Sequence, residues 1–137
     1  MTKAECAKAL AQGQALVKEL PGNALLLGEM GIANTSAAAL LLAKLTGLDI
    51  GLCTGAGTGL DAPAIERKTA VLRSVLARHA RVTEPLHVLA AMGGLEIASM
   101  VAAVLLAASE RCVVVVDGFL ATRAVLGVHA ISPRALP

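Results

Sequence analysis

Two short apolar runs constrain the fold of this chain more than any other feature. Ala24–Leu27 lies between turn-forming residues, and Val113–Val116 is β-branched and uncharged, so both runs predict strands. A continuous apolar run is typical of a strand that is covered on both faces, as in a parallel sheet. Because helical segments separate the two runs, the sequence predicts an α/β layer with parallel strands. Two strands are few for such a layer, which indicates part of something larger.

Helix signals fill the segments around these strands. Thr2 and Glu5 form a Thr-x-x-Glu capping box for a first helix, and Asp61 is placed to cap a later one. Asn34 or Thr35 is expected to cap the helix that follows the first strand. Further helices are predicted at residues 85–92, 95–109 and 119–130, of which 95–109 is almost entirely apolar and therefore predicted to be buried.

Composition excludes several classes of protein. The chain is 56% hydrophobic and 16% charged, which excludes a disordered chain. A net charge of +2 and a single aromatic residue give no support to nucleic-acid binding. The uncharged runs fall short of the roughly 18–20 residues that a membrane span needs. We therefore expect no membrane segment and, from the high apolar content, either unusual apolar exposure or oligomerisation.

The cysteines bear on the cellular compartment. Cys6, Cys53 and Cys112 are odd in number and have no metal-ligand spacing. They are expected to be reduced thiols of a cytosolic protein, two of them buried. The sequence implies no metal site.

The turn after the first strand is the strongest candidate for ligand binding. Residues 28–35 read Gly-Glu-Met-Gly-Ile-Ala-Asn-Thr and open a helix. Glycines there allow a ligand to approach the backbone, and the positive end of the helix favours an anion. Glu29 would then meet a cationic or proton-bearing part of the ligand. A plain strand-to-helix turn with a solvated Glu29 is an equal alternative from the spacing alone.

Two further segments are candidates. Residues 55–61 carry three alternate glycines and are followed by Lys68, whose ammonium would bind a phosphate; a flexible loop with a surface lysine is the alternative. Residues 50–53, just before this loop, are expected to be a short extended piece. Asp117 and Gly118 follow the second strand, at the edge where α/β sheets bind ligands. Asp117 either holds ribose hydroxyls or caps the last helix.

Five segments occur in one order along the chain, at residues 28–35, 57–61, 67–68, 89–98 and 115–119. Their succession resembles the nicotinate-nucleotide–dimethylbenzimidazole phosphoribosyltransferase family over nearly the whole chain. The resemblance implies one Rossmann-like α/β domain over residues 1–137, incomplete relative to the family's large domain, in a cytoplasmic homodimer. It implies transfer of phosphoribose from nicotinate mononucleotide to 5,6-dimethylbenzimidazole, which yields α-ribazole 5′-phosphate and nicotinate for cobalamin synthesis. No metal or cofactor is implied.

The resemblance also implies roles for individual residues. Glu29 matches a glutamate near the reacting base and ribose and is expected to be an auxiliary catalytic residue. The substrate-binding set is expected to be Gly31, Asn34, Thr35, Gly57, Thr58, Gly59, Lys68, Asp117 and Gly118. Gly57 and Lys68 match phosphate-contacting positions, and Glu29, Lys68 and Asp117 are expected to converge on one pocket.

Coverage is the main departure from the family. Its members are well over twice as long, and their general base is the glutamate of a Gly-Glu-Gly-rich motif that this sequence lacks. The alternative function is therefore a shortened, non-catalytic nucleotide-binding or assembly module of the same ancestry.

Overall fold

A computed structural model describes residues 1–136; Pro137, the last residue of the predicted domain, lies outside the described residues. Within that range the chain forms helices around a two-stranded sheet. The elements, in chain order, are α1 (Lys3–Glu19), β1 (Ala24–Leu27), α2 (Thr35–Thr46), α3 (Ile50–Cys53), α4 (Ala62–Arg78), α5 (Pro85–Met92), α6 (Leu95–Ser109), β2 (Val113–Val116), α7 (Phe119–Ile131) and a 3₁₀ turn (Pro133–Ala135).

The two strands pair in parallel, with Leu27 beside Val116. The ladder continues past both ends, because Val113 N–H donates to Asn23 O (2.8 Å) and Asp117 N–H donates to Leu27 O (2.8 Å). Parallel strands need a long crossover, and α2 to α6 supply it. The predicted α/β class, with a parallel sheet flanked by helices, is confirmed.

The sheet is covered on one face only, so the expectation of two covered faces is wrong. Leu25 and Leu27 are buried, whereas Leu26 is 74% exposed. Leu26 pairs with Val115, and both Val115 and Val113 are exposed on that same face. Within residues 1–136, α6 packs against both strands, and no helix covers the other face. Leu26, Val113 and Val115 thus leave apolar surface exposed on this sheet face, where the composition predicted either such exposure or oligomerisation.

Helix α6 forms the centre of the core. Its buried side chains are Ile97, Ala98, Val101, Ala102, Ala103, Val104 and Ala107, as the apolar sequence predicted. Helix α1 crosses α6 closely, because a side chain at Gly13 would overlap the backbone of Ser99. On the opposite side, a Cβ at Gly127 of α7 would lie 3.1 Å from Val101. Small residues thus allow both helices to pack closely against α6.

Two predicted helix caps are confirmed. Glu5 N–H donates to Thr2 Oγ1 (3.2 Å), and Thr2 N–H donates to Glu5 Oε2 (2.7 Å), which completes the capping box. Asp61 Oδ1 accepts the backbone N–H of Ala64 (2.9 Å) at the start of α4. Each cap satisfies backbone donors that a helix start leaves without partners.

The segment around α3 and α4 differs from expectation. Residues 50–53 form a short helix and not an extended piece, because Asp49 accepts the N–H of Gly51 (2.8 Å) and starts a helical turn. The apolar spacing along α4 predicts one buried face, but Leu72 is buried whereas Val71 is 61% exposed. The helix contacts only a few neighbours, α2 and α3 above all, so little of its apolar surface is covered.

Two of the three free cysteines, Cys6 and Cys53, are buried, as predicted. Burial raises the pKa of both thiols above the ordinary value. None of the helices within residues 1–136 combines the length and the apolar content that crossing a membrane requires.

Candidate functional site

The loops that follow the two strands lie at one edge of the sheet. Because β1 and β2 are parallel, their carboxyl ends lie at the same edge of the sheet. The hydrogen bond from Asp117 N–H to Leu27 O holds the first residues after the two strands side by side. Residues 28–34 leave β1 there, and Gly118 leads from β2 into α7. This is the edge at which open α/β sheets bind ligands.

A cleft of about 260 Å³ opens next to this edge; we call it the strand-end cleft. It lies between the turn after β1, the start of α2 and the glycine-rich loop of residues 54–61. Its lining consists of Gly31, Ile32, Ala33, Thr35, Ser36, Ala56, Gly57, Thr58, Leu60 and Lys68. Larger cavities of about 450 Å³ beside β2 and about 580 Å³ beside α5 contain none of the predicted site residues.

Lys68 joins two walls of the cleft, the start of α2 and the glycine-rich loop. Its Nζ donates to Thr35 Oγ1 (3.0 Å) and to Gly55 O (3.3 Å). The side chain is therefore half-buried and held, unlike the surface lysine of the alternative interpretation. An ammonium beside the N-terminus of α2 adds a full charge to the positive end of the helix dipole, and both attract an anion.

Gly57 keeps the backbone of the glycine-rich loop close to these groups. Its φ of +57° is a left-handed conformation that favours glycine. A Cβ at this position would lie 3.4 Å from Thr35 Oγ1 and 4.0 Å from Lys68 Nζ. A Cβ there would be in van der Waals contact with the hydroxyl and the ammonium, so the backbone of the loop lies close to both groups.

Glu29 and Asn34 form a pair beside the cleft. Asn34 Nδ2 donates to Glu29 Oε1 (2.8 Å), and Gly31 lies against both side chains, since a Cβ there would overlap them. Asn34 occupies the N-cap position of α2 but makes no capping bond, so the expected side-chain cap by Asn34 or Thr35 is wrong. The side-chain amide of Asn34 instead donates its hydrogen bond to Glu29.

This pair leaves two buried acceptors without partners. Glu29 Oε2 and Asn34 Oδ1 are both inaccessible to solvent and accept no hydrogen bond from residues 1–136. The solvated Glu29 of the alternative interpretation is therefore wrong. Buried polar atoms are rarely left without a hydrogen-bond partner. Two such acceptors side by side suit a ligand that carries N–H or O–H donors.

The remaining predicted residues lie outside the cleft. Asp117 and Gly118 are exposed at the same sheet edge, and Gly118 has φ +91° at the start of α7. No side chain caps α7, so capping by Asp117 does not occur. Gly59 closes a turn by donating to Ala56 O (3.2 Å). Of Glu29, Lys68 and Asp117, only Lys68 lines the cleft, so the expected convergence of the three on one pocket is not seen.

Five residues of the lining are not in the predicted set. They are Ile32, Ala33, Ser36, Ala56 and Leu60. The position of Ser36 directly after Thr35, in the first turn of α2, is a signal that points to it. Within residues 1–136, no three His, Cys, Asp or Glu side chains come together as a metal site requires.

Comparisons with known proteins find relatives that match nearly the whole chain. A family model described as phosphoribosyltransferase matches residues 1–137. A curated relative from Variovorax paradoxus (strain S110), named nicotinate-nucleotide–dimethylbenzimidazole phosphoribosyltransferase, is 63% identical over 134 residues; the match covers 98% of this chain and 38% of the relative. A relative of the same name from Cupriavidus taiwanensis is 49% identical over 139 residues, covering 99% of this chain and 40% of the relative.

Solved structures give the same result for the fold. The crystal structure of CobT from Thermus thermophilus matches with a TM-score of 0.92 and 33% identity, covering 98% of this chain and 41% of that one. This chain thus spans about two fifths of the length of the relatives it matches.

Proposed function

The chain belongs to the phosphoribosyltransferase family whose model matches residues 1–137, and from that premise we propose that it carries the nucleotide-binding part of an enzyme that makes α-ribazole 5′-phosphate. The substrates are nicotinate mononucleotide and 5,6-dimethylbenzimidazole, and nicotinate is released during synthesis of the cobalamin lower ligand. The observation that carries the proposal is the contact of Lys68 with Thr35 beside Gly57.

The strand-end cleft binds the 5′-phosphate of the nucleotide. Lys68 supplies the positive charge, and the loop at Gly57 and Thr58 supplies backbone N–H donors. Thr35 and Ser36 add the N-terminus of α2, where unpaired N–H groups attract anions. On binding, Lys68 exchanges a neutral carbonyl or hydroxyl acceptor for a charged phosphate oxygen.

Glu29 acts on the reacting end of the ligand. In the reaction, nicotinate leaves the anomeric carbon with the electron pair of the C–N bond, and an imidazole nitrogen forms the new C–N bond. The proton of the incoming imidazole passes to the general base, which the family resemblance assigns to a motif not found in these residues. Glu29 Oε2 accepts a hydrogen bond from a ribose hydroxyl or the base N–H, while Asn34 holds the other oxygen.

Asp117 and Gly118 complete the proposed binding surface. Their place beside Gly28 at the sheet edge suits contact with ribose hydroxyls. Gly59 contributes through the shape of the glycine-rich loop, because its φ of +111° is required for the turn that presents Thr58.

The second candidate function is nucleotide binding without turnover. The chain spans about two fifths of the length of the relatives it matches, so binding and turnover are tested separately. The deciding experiment incubates the protein with both substrates and measures nicotinate and α-ribazole 5′-phosphate, alongside calorimetric titration with nicotinate mononucleotide. Binding with turnover supports the enzyme, and binding without turnover supports the module. Absence of binding contradicts both.

The proposal includes a homodimer in the cytoplasm, which the family resemblance implies. The exposed side chains Leu26, Val113 and Val115 support association, since an apolar face of this kind favours contact with another surface. The free cysteines support a reducing compartment. Light scattering coupled to size-exclusion chromatography tests the dimer, and a monomer mass at micromolar concentration contradicts it.

A further inference from the structure

Helix α4 carries Lys68, so the place of α4 on the rest of the molecule decides where this ammonium lies. The helix rests mainly on α2 and α3. Leu72 is buried, and Val75 and Leu76 are partly buried against the core. Apolar burial of this kind attracts α4 to the core but is non-directional, so it does not by itself fix the position of α4 along α2.

Lys44 provides a directional contact at the far end of α4. It lies in the last turn of α2 and is half-buried. Its Nζ donates to His79 O (3.2 Å) and to Ala80 O (2.9 Å), the carbonyls of the C-cap residue of α4 and of the residue after it. The last carbonyls of a helix have no partner within it, and a cation is favourable at this negative end. Lys44 therefore binds the C-terminal end of α4 to α2.

Lys44 and Lys68 join the same two helices at separate points. Lys68 reaches from α4 to Thr35, the first residue of α2, and Lys44 reaches from the last turn of α2 to the end of α4. At a rise of about 1.5 Å per residue, the two contacts lie about 13 Å apart along α2 and about 16 Å apart along α4. Two contacts at this spacing oppose both sliding and pivoting of α4, whereas a single contact holds only one end of the helix.

We propose that Lys44 is a positioning residue, which holds α4 so that Lys68 stays at the strand-end cleft. The phosphate-binding role of Lys68 rests on the proposed function, whereas the effect of Lys44 on the position of Lys68 needs no ligand. Lys44 does not line the cleft. The spacing of about 16 Å along α4 also exceeds the Debye length of about 8 Å at physiological ionic strength, so the charge of Lys44 adds little at the cleft directly.

A double-mutant cycle with nicotinate mononucleotide tests whether Lys44 acts through Lys68. Affinity is measured by calorimetry for the unaltered protein, Lys44→Met, Lys68→Met and the double variant. Lys18→Met is the matched control, because Lys18 is likewise a lysine in the last turn of a helix, here α1, and is exposed. We expect Lys44→Met to weaken binding about threefold to tenfold and Lys18→Met to leave it within about twofold. In the Lys68→Met background, Lys44→Met should change the affinity by less than about twofold.

The reactivity of Lys68 reports its position without a ligand. Acetic anhydride modifies a free amine, and an Nζ that donates to Thr35 and Gly55 must leave both acceptors before it reacts. Mass spectrometry should show acetylation of Lys68 that is about threefold faster or more in Lys44→Met, because local opening becomes more frequent. The rate should be unchanged in Lys18→Met.

The outcomes separate this inference from the proposed function. If the unaltered protein does not bind the nucleotide, the proposed function fails, and the acetylation rate alone decides the role of Lys44. An unchanged rate at Lys68 in Lys44→Met overturns the inference. In a protein that binds the nucleotide, so does an affinity of Lys44→Met equal to that of Lys18→Met, or a loss that is the same with and without Lys68. Should Lys44→Met not fold, Lys44→Gln removes the charge and shortens the side chain, and the same results support or overturn the inference.

Discussion

Lys68 Nζ lies 3.0 Å from the Thr35 hydroxyl oxygen, across 33 positions of sequence. The contact joins the second turn of α4 to the first residue of α2 and encloses the loop at Gly57 between them. Within residues 1–136 no carboxylate forms an ion pair with Lys68, so its charge faces only neutral acceptors. An ammonium held at a helix N-terminus without a counter-ion is a pre-organised anion site.

Lys68→Met should weaken binding of nicotinate mononucleotide about tenfold to a hundredfold, because a charge-assisted hydrogen bond is lost while the apolar stem is kept. Calorimetric titration measures the change. Arg67→Met is the matched control, since Arg67 is exposed on the same helix and does not line the cleft. Equal effects of the two variants would show that Lys68 contributes only general surface charge.

Thr35→Val should weaken the same binding about fivefold, because a neutral hydrogen bond that positions Lys68 contributes about 1 kcal/mol. Thr35→Ser keeps the hydroxyl and should restore the affinity. In the Lys68→Met background the Thr35 substitution should have little further effect, because the two side chains act as a unit. Additive losses in the double variant would refute this coupling.

Asn34→Asp should lower the free energy of unfolding by about 1–3 kcal/mol at pH 7, because it replaces a hydrogen bond to Glu29 by two buried carboxylates side by side. The favourable interaction of a new negative charge with the N-terminus of α2 is smaller, about 0.3–1 kcal/mol. The loss in the free energy of unfolding of Asn34→Asp should become smaller as the pH falls toward 4, because one carboxyl of the pair is then protonated. Denaturant unfolding measures it, with exposed Asn23→Asp as control; matching losses in both variants would contradict the prediction.

Glu84 should make stability depend on pH in the acidic range. The N–H groups of His87 and Leu86 donate to its carboxylate and lower its pKa in the folded state. A lowered pKa means that the stabilisation is complete above the unfolded pKa and is lost as the pH falls through the folded one, from about pH 5 downward.

The measurement is the melting temperature of wild type and Glu84→Gln between pH 6 and pH 3. We expect the difference between them to shrink as the pH falls, because only the wild type loses a charged cap of α5. Glu66→Gln, an exposed glutamate of α4, is the control. A constant difference across the range would mean that the Glu84 carboxylate does not stabilise the helix through its charge.

Local chemistry made much of the fold predictable. Strands at Ala24–Leu27 and Val113–Val116, the capping box at Thr2 and the buried helix α6 all follow from propensity and pattern over a few residues. The exposure of Leu26 was not predictable, because an apolar residue in a strand gives no sign of whether a second layer covers it. The short helix at residues 50–53 depends on one cap at Asp49, which a propensity pattern does not register.

The sequence indicated several residues of the candidate site, but it did not indicate which side chains are in contact with one another. Gly31, Thr35, Gly57 and Lys68 line one cleft, whereas Glu29 and Asp117, which were expected in the same pocket, do not. The pairing of Asn34 with Glu29 was missed because Asn at this position is read first as a helix cap.

The most direct test of the central claim is a crystal structure of the protein with nicotinate mononucleotide bound. The account predicts a phosphate oxygen within about 3 Å of Lys68 Nζ, inside the strand-end cleft, with the ribose toward Glu29. A nucleotide bound in one of the larger cavities, with Lys68 still donating to Thr35 and Gly55, would contradict it.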